Sequence, residues 1–162
     1  MNIVFIEESQ EIRNMCSLVL RKNGHNVTFC QHGLEAFAVI EKEPIDMLMI
    51  NVRSYLMSAI EVIITIRGQY DKDTLPVVVL GKRSESELIL ECLEAGGDDS
   101  LDLPVKVNDM LQKLAFIEEQ LNESRKKKRL LAKAIAKQKK NKEKAEAAVK
   151  LKEMEEKIKK DG

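Results

Sequence analysis

Strands and helices alternate along the first 103 residues, and this alternation limits the fold more than any other feature of the chain. Short apolar runs occur five times, at residues 2–6, 27–30, 45–50, 76–80 and, more weakly, 100–101. Stretches with helical periodicity separate them. The first follows Ser9, which suits a helix N-cap, and places apolar residues at i, i+3, i+4 and i+7: Ile12, Met15, Cys16 and Val19. No hairpin signal joins consecutive runs, so we expect a parallel sheet with helices on both faces.

Polar residues and a glycine follow the predicted strands where a site is expected. In open parallel sheets, ligands bind beyond the carboxyl ends of the strands. Glu7 and Glu8 end the first run, Asn51 ends the third, and Gly81 follows the fourth. We therefore expect a candidate site where these residues meet, with the turn before Pro104 beside it.

Charge divides the chain into two parts. The 27 basic and 27 acidic residues cancel overall, but residues 124–162 hold 16 of the basic and only 6 of the acidic ones. That leaves 11 basic and 21 acidic residues in 1–123, so a globule of about −10 precedes a tail of about +10. The sharpest basic cluster is Arg125, Lys126, Lys127, Lys128 and Arg129.

The tail is predicted to be one long helix, because no proline lies between Val105 and Asp161 and no glycine before Gly162. A coiled-coil seam taken from Ile117 is apolar at six of eleven positions, in separated pairs. We therefore expect weak pairing, a homodimer through this helix or a partner that supplies the missing apolar side chains. The basic cluster of residues 125–129 fits three interpretations: a solvated helical face, a contact with an acidic surface, or salt-sensitive binding to nucleic acid or anionic membrane.

Several other classes are not supported. No apolar run reaches the length of a membrane span, and residues 1–6 are too short for a secretion signal. The three cysteines are odd in number and scattered, which indicates reduced, buried thiols, and the histidines lack the spacing of a metal site. We expect a cytoplasmic protein that is not an enzyme.

Five stretches resemble the receiver domain of bacterial response regulators, in the family's order and spacing: IVFIEES, IDMLMINV, AIEVIITIR, LPVVVLG and CLEAGGDDSLDLP. The resemblance implies a flavodoxin-like sheet of order 2-1-3-4-5 over residues 1–122. The composition of residues 123–162 predicts a basic helical extension after this domain. The resemblance also implies a signalling protein that interacts with protein partners.

The resemblance implies a set of site positions, and this chain departs from the family at most of them. The Mg²⁺-binding acidic pair is Glu7 and Glu8, and the phosphoacceptor aspartate is replaced by Asn51. The phosphate-binding hydroxyl, the aromatic switch residue and the phosphate-binding lysine fall on Gly81, Ser100 and Leu103. An amide cannot form an acyl phosphate, so these positions predict a degenerate receiver that acts without phosphorylation.

Two consequences and one alternative follow from these positions. Mg²⁺ should bind weakly or not at all, because its site loses a carboxylate. Glu7 and Glu8 should then need a cation, for which Arg53 and Lys82 are the candidates. A shifted register would instead make Asp46, Asp98 or Asp99 the phosphoacceptor of an ordinary phosphorelay protein.

Overall fold

A computed structural model describes residues 1–162 and contains one five-stranded parallel sheet of order β2-β1-β3-β4-β5. This architecture confirms the predicted flavodoxin-like fold and its strand order. The strands are β1 (Asn2–Ile6), β2 (Asn26–Cys30), β3 (Met47–Asn51), β4 (Val77–Lys82) and β5 (Asp99–Leu103).

Five α-helices connect and follow the strands. They are α1 (Gln10–Lys22), α2 (Gly33–Lys42), α3 (Ala59–Arg67), α4 (Ser86–Glu94) and α5 (Val107–Asp161), with a 3₁₀ turn at Arg83–Glu85 before α4. Ser9 caps α1 as predicted, because its side chain accepts a hydrogen bond from the backbone of Ile12 at 3.3 Å. Gly24 has φ +80°, a conformation that glycine adopts without strain, and it ends the turn into β2.

Helices cover both faces of the sheet, as the uninterrupted apolar strands predict. One face packs against α2, α3 and α4 through a core that includes Ala36, Val62 and Cys92. The other packs against α1 and the beginning of α5, through residues such as Leu20 and Met110. Successive residues of β3 alternate between the two cores, so the strand is buried on both sides and holds its terminal Asn51 in a fixed position.

Two predicted strands have different bounds in the structure. β3 begins at Met47 rather than residue 45. Just before it, the backbone N–H of Asp46 donates to the carbonyl oxygen of Asn2, and the carboxylate of Asp46 accepts the backbone N–H of Asn2. β5 is longer than its composition indicates and runs over Asp99–Leu103. Its pairing with β4 outweighs the low strand propensity of aspartate and serine.

The chain divides into two compact units, residues 1–121 and residues 122–162. The second unit is helical up to Asp161. All three cysteines are buried, as predicted, and burial raises the pKa of each thiol to about 11. None of the helices combines the length and apolar character that crossing a bilayer requires.

Candidate functional site

The carboxyl ends of β1 and β3 lie side by side and bring Glu7 and Asn51 together. A cleft of about 320 Å³ opens there, and Glu8, Arg53 and Ser54 also line it. Glu7 and Asn51 therefore meet where the sequence predicts. Gly81, near the end of β4, completes the same edge of the sheet.

Glu7 is the buried acid of this cleft, with only 4% of its surface exposed. Both carboxylate oxygens accept hydrogen bonds: Oε1 from the backbone N–H of Ser9 at 2.9 Å, and Oε2 from the side-chain amide of Asn51 at 2.8 Å. A buried carboxylate needs such donors, because an unpaired charge in the interior is costly. Glu8, by contrast, is exposed to solvent.

Asn51 is fixed at both ends of its amide. Its Nδ2 donates to Glu7, while its Oδ1 accepts from the backbone N–H of Arg53 at 2.9 Å. The chemistry of the partners determines this orientation, since an ionised carboxylate only accepts and a backbone N–H only donates. Asn51 is thus a neutral bridge between β1 and the loop that follows β3.

Arg53 does not pair with Glu7 or Glu8, and this corrects the expectation from the sequence. Its guanidinium forms an ion pair with Glu85 at 2.6 Å, and the same carboxylate accepts the backbone N–H of Lys82 at 2.8 Å. These hydrogen bonds from Arg53 and Lys82 lower the pKa of Glu85. Lys82 forms no ion pair with Glu7 or Glu8 either. Glu7 instead accepts hydrogen bonds from the neutral donors of Ser9 and Asn51.

Gly81 is closely surrounded by apolar side chains. A Cβ atom at this position would lie 2.9 Å from Ile89 of α4 and 2.9 Å from Val52. Such distances are far shorter than van der Waals contact, so any larger residue requires its neighbours to move. The absence of a side chain here lets α4 pack closely against β4.

Ser100 and Leu103 lie on β5, which β4 separates from β3 and its terminal Asn51. Ser100 uses its backbone N–H in a hydrogen bond to the side chain of Asp99 at 2.7 Å. Leu103 packs against the core cluster on the α1 and α5 face and precedes Pro104 across a cis peptide bond. Neither residue supplies a charge to the cleft.

The three acids considered as alternative phosphoacceptors lie at the amino ends of the strands, opposite the cleft. Asp46 directly precedes β3, Asp98 directly precedes β5, and Asp99 is the first residue of β5. A strand of five residues separates its amino end from its carboxyl end by roughly 13–17 Å. Asp98 bonds to Arg67 at 2.6 Å and to the backbone of Val77 at 2.7 Å, and Asp99 pairs with Lys113. None of the three reaches the cleft.

Sequence reasoning missed Glu85 and Ile89. Glu85 determines where Arg53 points, and Ile89 fills the space beside Gly81. Both follow the fourth strand, and the position of an acid three residues after Lys82 is the only signal that could have suggested Glu85. The position of Ile89 depends on the packing of α4, which residue spacing does not specify.

No group of three or more histidine, cysteine, aspartate or glutamate side chains is arranged to hold a metal ion. The basic cluster, residues 125–129, lies in the second unit and is exposed to solvent.

Comparisons with known proteins agree with this fold. Response regulator MprA of Mycobacterium tuberculosis is 28% identical over 112 residues, which cover 69% of this chain and 48% of that protein. Transcriptional regulatory protein CseB of Streptomyces coelicolor is 27% identical over 103 residues, or 64% of this chain and 43% of that one. The chain thus spans about half the length of these curated relatives.

Solved structures show the same fold. The receiver domain of the response regulator TorR superposes with a TM-score of 0.69 at 14% identity, covering 74% of this chain and 98% of that domain. The receiver domain of the sensor histidine kinase PA1611 of Pseudomonas aeruginosa, with a magnesium ion coordinated in its active-site cleft, gives 0.64 at 21% identity and covers 75% and 97%. The family described as response regulator receiver domain matches residues 3–115. The chain therefore belongs to the response regulator receiver domain family.

Proposed function

We propose that this receiver domain serves two-component signalling as a cytoplasmic protein-interaction module that neither receives a phosphoryl group nor catalyses a reaction. The observation that carries the proposal is the amide of Asn51 at the end of β3, which donates to Glu7. Phosphoryl transfer to a receiver needs a carboxylate nucleophile, and an amide nitrogen engaged as a donor has no such reactivity.

The donor set of the cleft does not fit Mg²⁺. Mg²⁺ prefers oxygen ligands in octahedral geometry, usually with one or two carboxylates. Both oxygens of Glu7 and the side-chain oxygen of Asn51 already accept N–H groups, which leaves Glu8 as the one acid of the pair without such donors. A magnesium ion would have to displace these bonds, so we expect weak binding or none.

The environment of Gly81 supports the same proposal. In the receiver family, the residue at this position carries the hydroxyl that contacts the phosphoryl group. In this chain, Ile89 and Val52 occupy the space into which such a side chain would extend. Leu103, at the position of the lysine, is partly buried and packs against the apolar core instead. A switch that depends on a moving hydroxyl and a cation has no counterpart among these side chains.

Asp46, Asp98 and Asp99 offer little support for an ordinary phosphorelay function. Each already bonds to a backbone N–H or to a basic side chain at the amino edge of the sheet. A phosphoryl group bound there would lie a strand's length from Glu7 and Glu8. A degenerate receiver therefore fits these contacts better than an ordinary phosphorelay protein does.

The partner surface that we propose lies on α4. Leu90 is 56% exposed there, and three exposed acids share this short helix, which has no basic residue: Glu87, Glu91 and Glu94. A protein with a basic rim around an apolar contact fits this surface. Pairing of two chains through the helical extension stays a second proposal, which sedimentation of the whole chain over a range of concentrations tests.

Backbone NMR of the whole chain tests the central proposal. Spectra are compared before and after addition of Mg²⁺ and acetyl phosphate, and we expect the amide resonances of Glu7, Asn51 and Gly81 to stay in place. Saturable shifts that extend from these residues to α4 and β5 would show a working phosphorylation switch and would refute the proposal.

A further inference from the structure

The positive charge of the second unit is concentrated in its first half. Residues 124–142 contain ten of the 16 basic residues of the tail and none of its six acids. Residues 143–162 contain the other six basic residues together with all six acids, so their charges cancel. The whole net charge of about +10 therefore lies within 19 residues, which we call the basic segment.

A continuous row of cations runs along one side of this helix. At about 100° per residue, six side chains spaced three or four residues apart fall within roughly 80° of the circumference and span about 27 Å. All six are exposed, five within the basic segment and the sixth two residues beyond its end: Lys126, Arg129, Lys133, Lys137, Lys140 and Lys144. We call them the basic stripe. None of them takes part in an ion pair of the structure.

Like charges within the stripe repel one another along the helix. Arg129 and Lys133, Lys133 and Lys137, and Lys140 and Lys144 are each four residues apart. Each such pair weakens a helix by about 0.2–0.5 kcal/mol. An anionic partner would remove this repulsion, whereas a second copy aligned in parallel would double it.

The distribution of the remaining side chains favours one kind of anion. Leu131 and Ile135 lie on the side opposite the stripe, but Lys127 and Lys142 lie among them, and the segment has no aromatic residue. A membrane-surface helix needs an uninterrupted apolar face, commonly with aromatic anchors. A duplex groove, by contrast, presents phosphates on both sides of a helix that enters it.

We propose that the basic segment binds double-stranded DNA through its phosphate backbone, without sequence preference. The major groove of B-DNA is about 12 Å wide and admits an α-helix, whereas that of duplex RNA is too deep and narrow. Duplex DNA carries roughly one negative charge per 1.7 Å, which is dense enough to neutralise every cation of the stripe. This activity is independent of the cleft around Asn51.

Fluorescence anisotropy with a labelled DNA duplex of arbitrary sequence tests the proposal on the whole chain. If the stripe neutralises about six phosphates, the affinity should fall roughly 10³-fold between about 50 and 200 mM salt. The variant R129Q/K133Q/K137Q/K140Q removes four stripe cations, so the slope of log affinity against log salt should become shallower by about 3–4.

A matched control removes the same charge from the balanced half, as K150Q/K152Q/K157Q/K159Q. It should keep the slope of the unaltered chain, and circular dichroism should show that both variants remain helical. Equal loss in both variants, or no binding at the lower salt concentration, would overturn the proposal. So would equal affinity for duplex RNA, or binding to vesicles rich in phosphatidylserine without binding to DNA.

Discussion

Replacing Asn51 with aspartate would convert the bridge between β1 and β3 into a pair of facing carboxylates. The amide nitrogen of Asn51 lies 2.8 Å from Glu7 Oε2, and Glu7 is buried. Two unit charges about 4 Å apart at an effective dielectric constant of about 20 repel by about 4 kcal/mol. We therefore expect Asn51→Asp to lower the free energy of unfolding by about 2–4 kcal/mol at neutral pH, after partial relaxation.

Urea unfolding at several pH values, in the presence of a chelator, measures this effect. Protonation of either carboxyl removes the repulsion, so the loss of stability should shrink as the pH falls toward the ordinary carboxyl range near 4. Addition of Mg²⁺ should restore part of the stability of Asn51→Asp, because the variant gains a carboxylate ligand. It should have little effect on the unaltered chain.

Asn51→Ala is the matched control, because it removes the hydrogen bond without adding charge. It should cost about 1–3 kcal/mol, the penalty of leaving a buried carboxylate oxygen without its donor. Unlike the stability of Asn51→Asp, its stability should not recover when Mg²⁺ is added, because alanine supplies no carboxylate ligand. If Asn51→Asp were as stable as the unaltered chain at neutral pH without a divalent ion, the assigned contact between Asn51 and Glu7 would be wrong.

Three further changes test the surroundings of the site, each by urea unfolding. Gly81→Ser should cost about 1–3 kcal/mol, because its Cβ meets Ile89 and Val52, each at 2.9 Å. The cost should be smaller when Ile89→Ala is already present, and an equal cost of Gly81→Ser in both backgrounds would contradict the packing. Arg53→Ala should cost less than about 1 kcal/mol at neutral pH, since Arg53 is 72% exposed. The pKa of Glu85 is lowered, so this stabilisation should vanish as the pH falls below about 4, and a difference that persisted there would not come from the ion pair. Leu56 has φ 60°, so Leu56→Gly should add about 1 kcal/mol of stability whereas Leu56→Ala should not.

The sequence predicted the fold well because hydrophobic burial and local signals agree along most of the chain. The apolar runs at β1, β3 and β4 have no alternation, which indicates burial on both faces, and Ser9 marks the start of α1. β5 was the weakest prediction, since its aspartates and serine do not favour a strand and only pairing with β4 fixes its length.

The sequence predicted that Glu7 and Asn51 lie close together, but it did not predict the contacts around them. The ends of β1 and β3 place Glu7 and Asn51 together because parallel strands end at the same edge. Arg53 pairs with Glu85 because the 3₁₀ turn places that carboxylate within reach, and the spacing of residues in the sequence does not predict this geometry. The closeness of Ile89 to Gly81 likewise comes from three-dimensional packing.

Mass spectrometry of the intact chain after incubation with acetyl phosphate and Mg²⁺ tests most directly whether the cleft accepts a phosphoryl group. The amide at Asn51 predicts that the unaltered chain keeps its mass. Asn51→Asp should also remain unmodified, because Gly81 and Leu103 still lack the hydroxyl and the cation that hold the transferred group. A mass increase of one phosphoryl group on the unaltered chain, located by fragmentation to Glu7, Glu8 or any aspartate, would contradict the account.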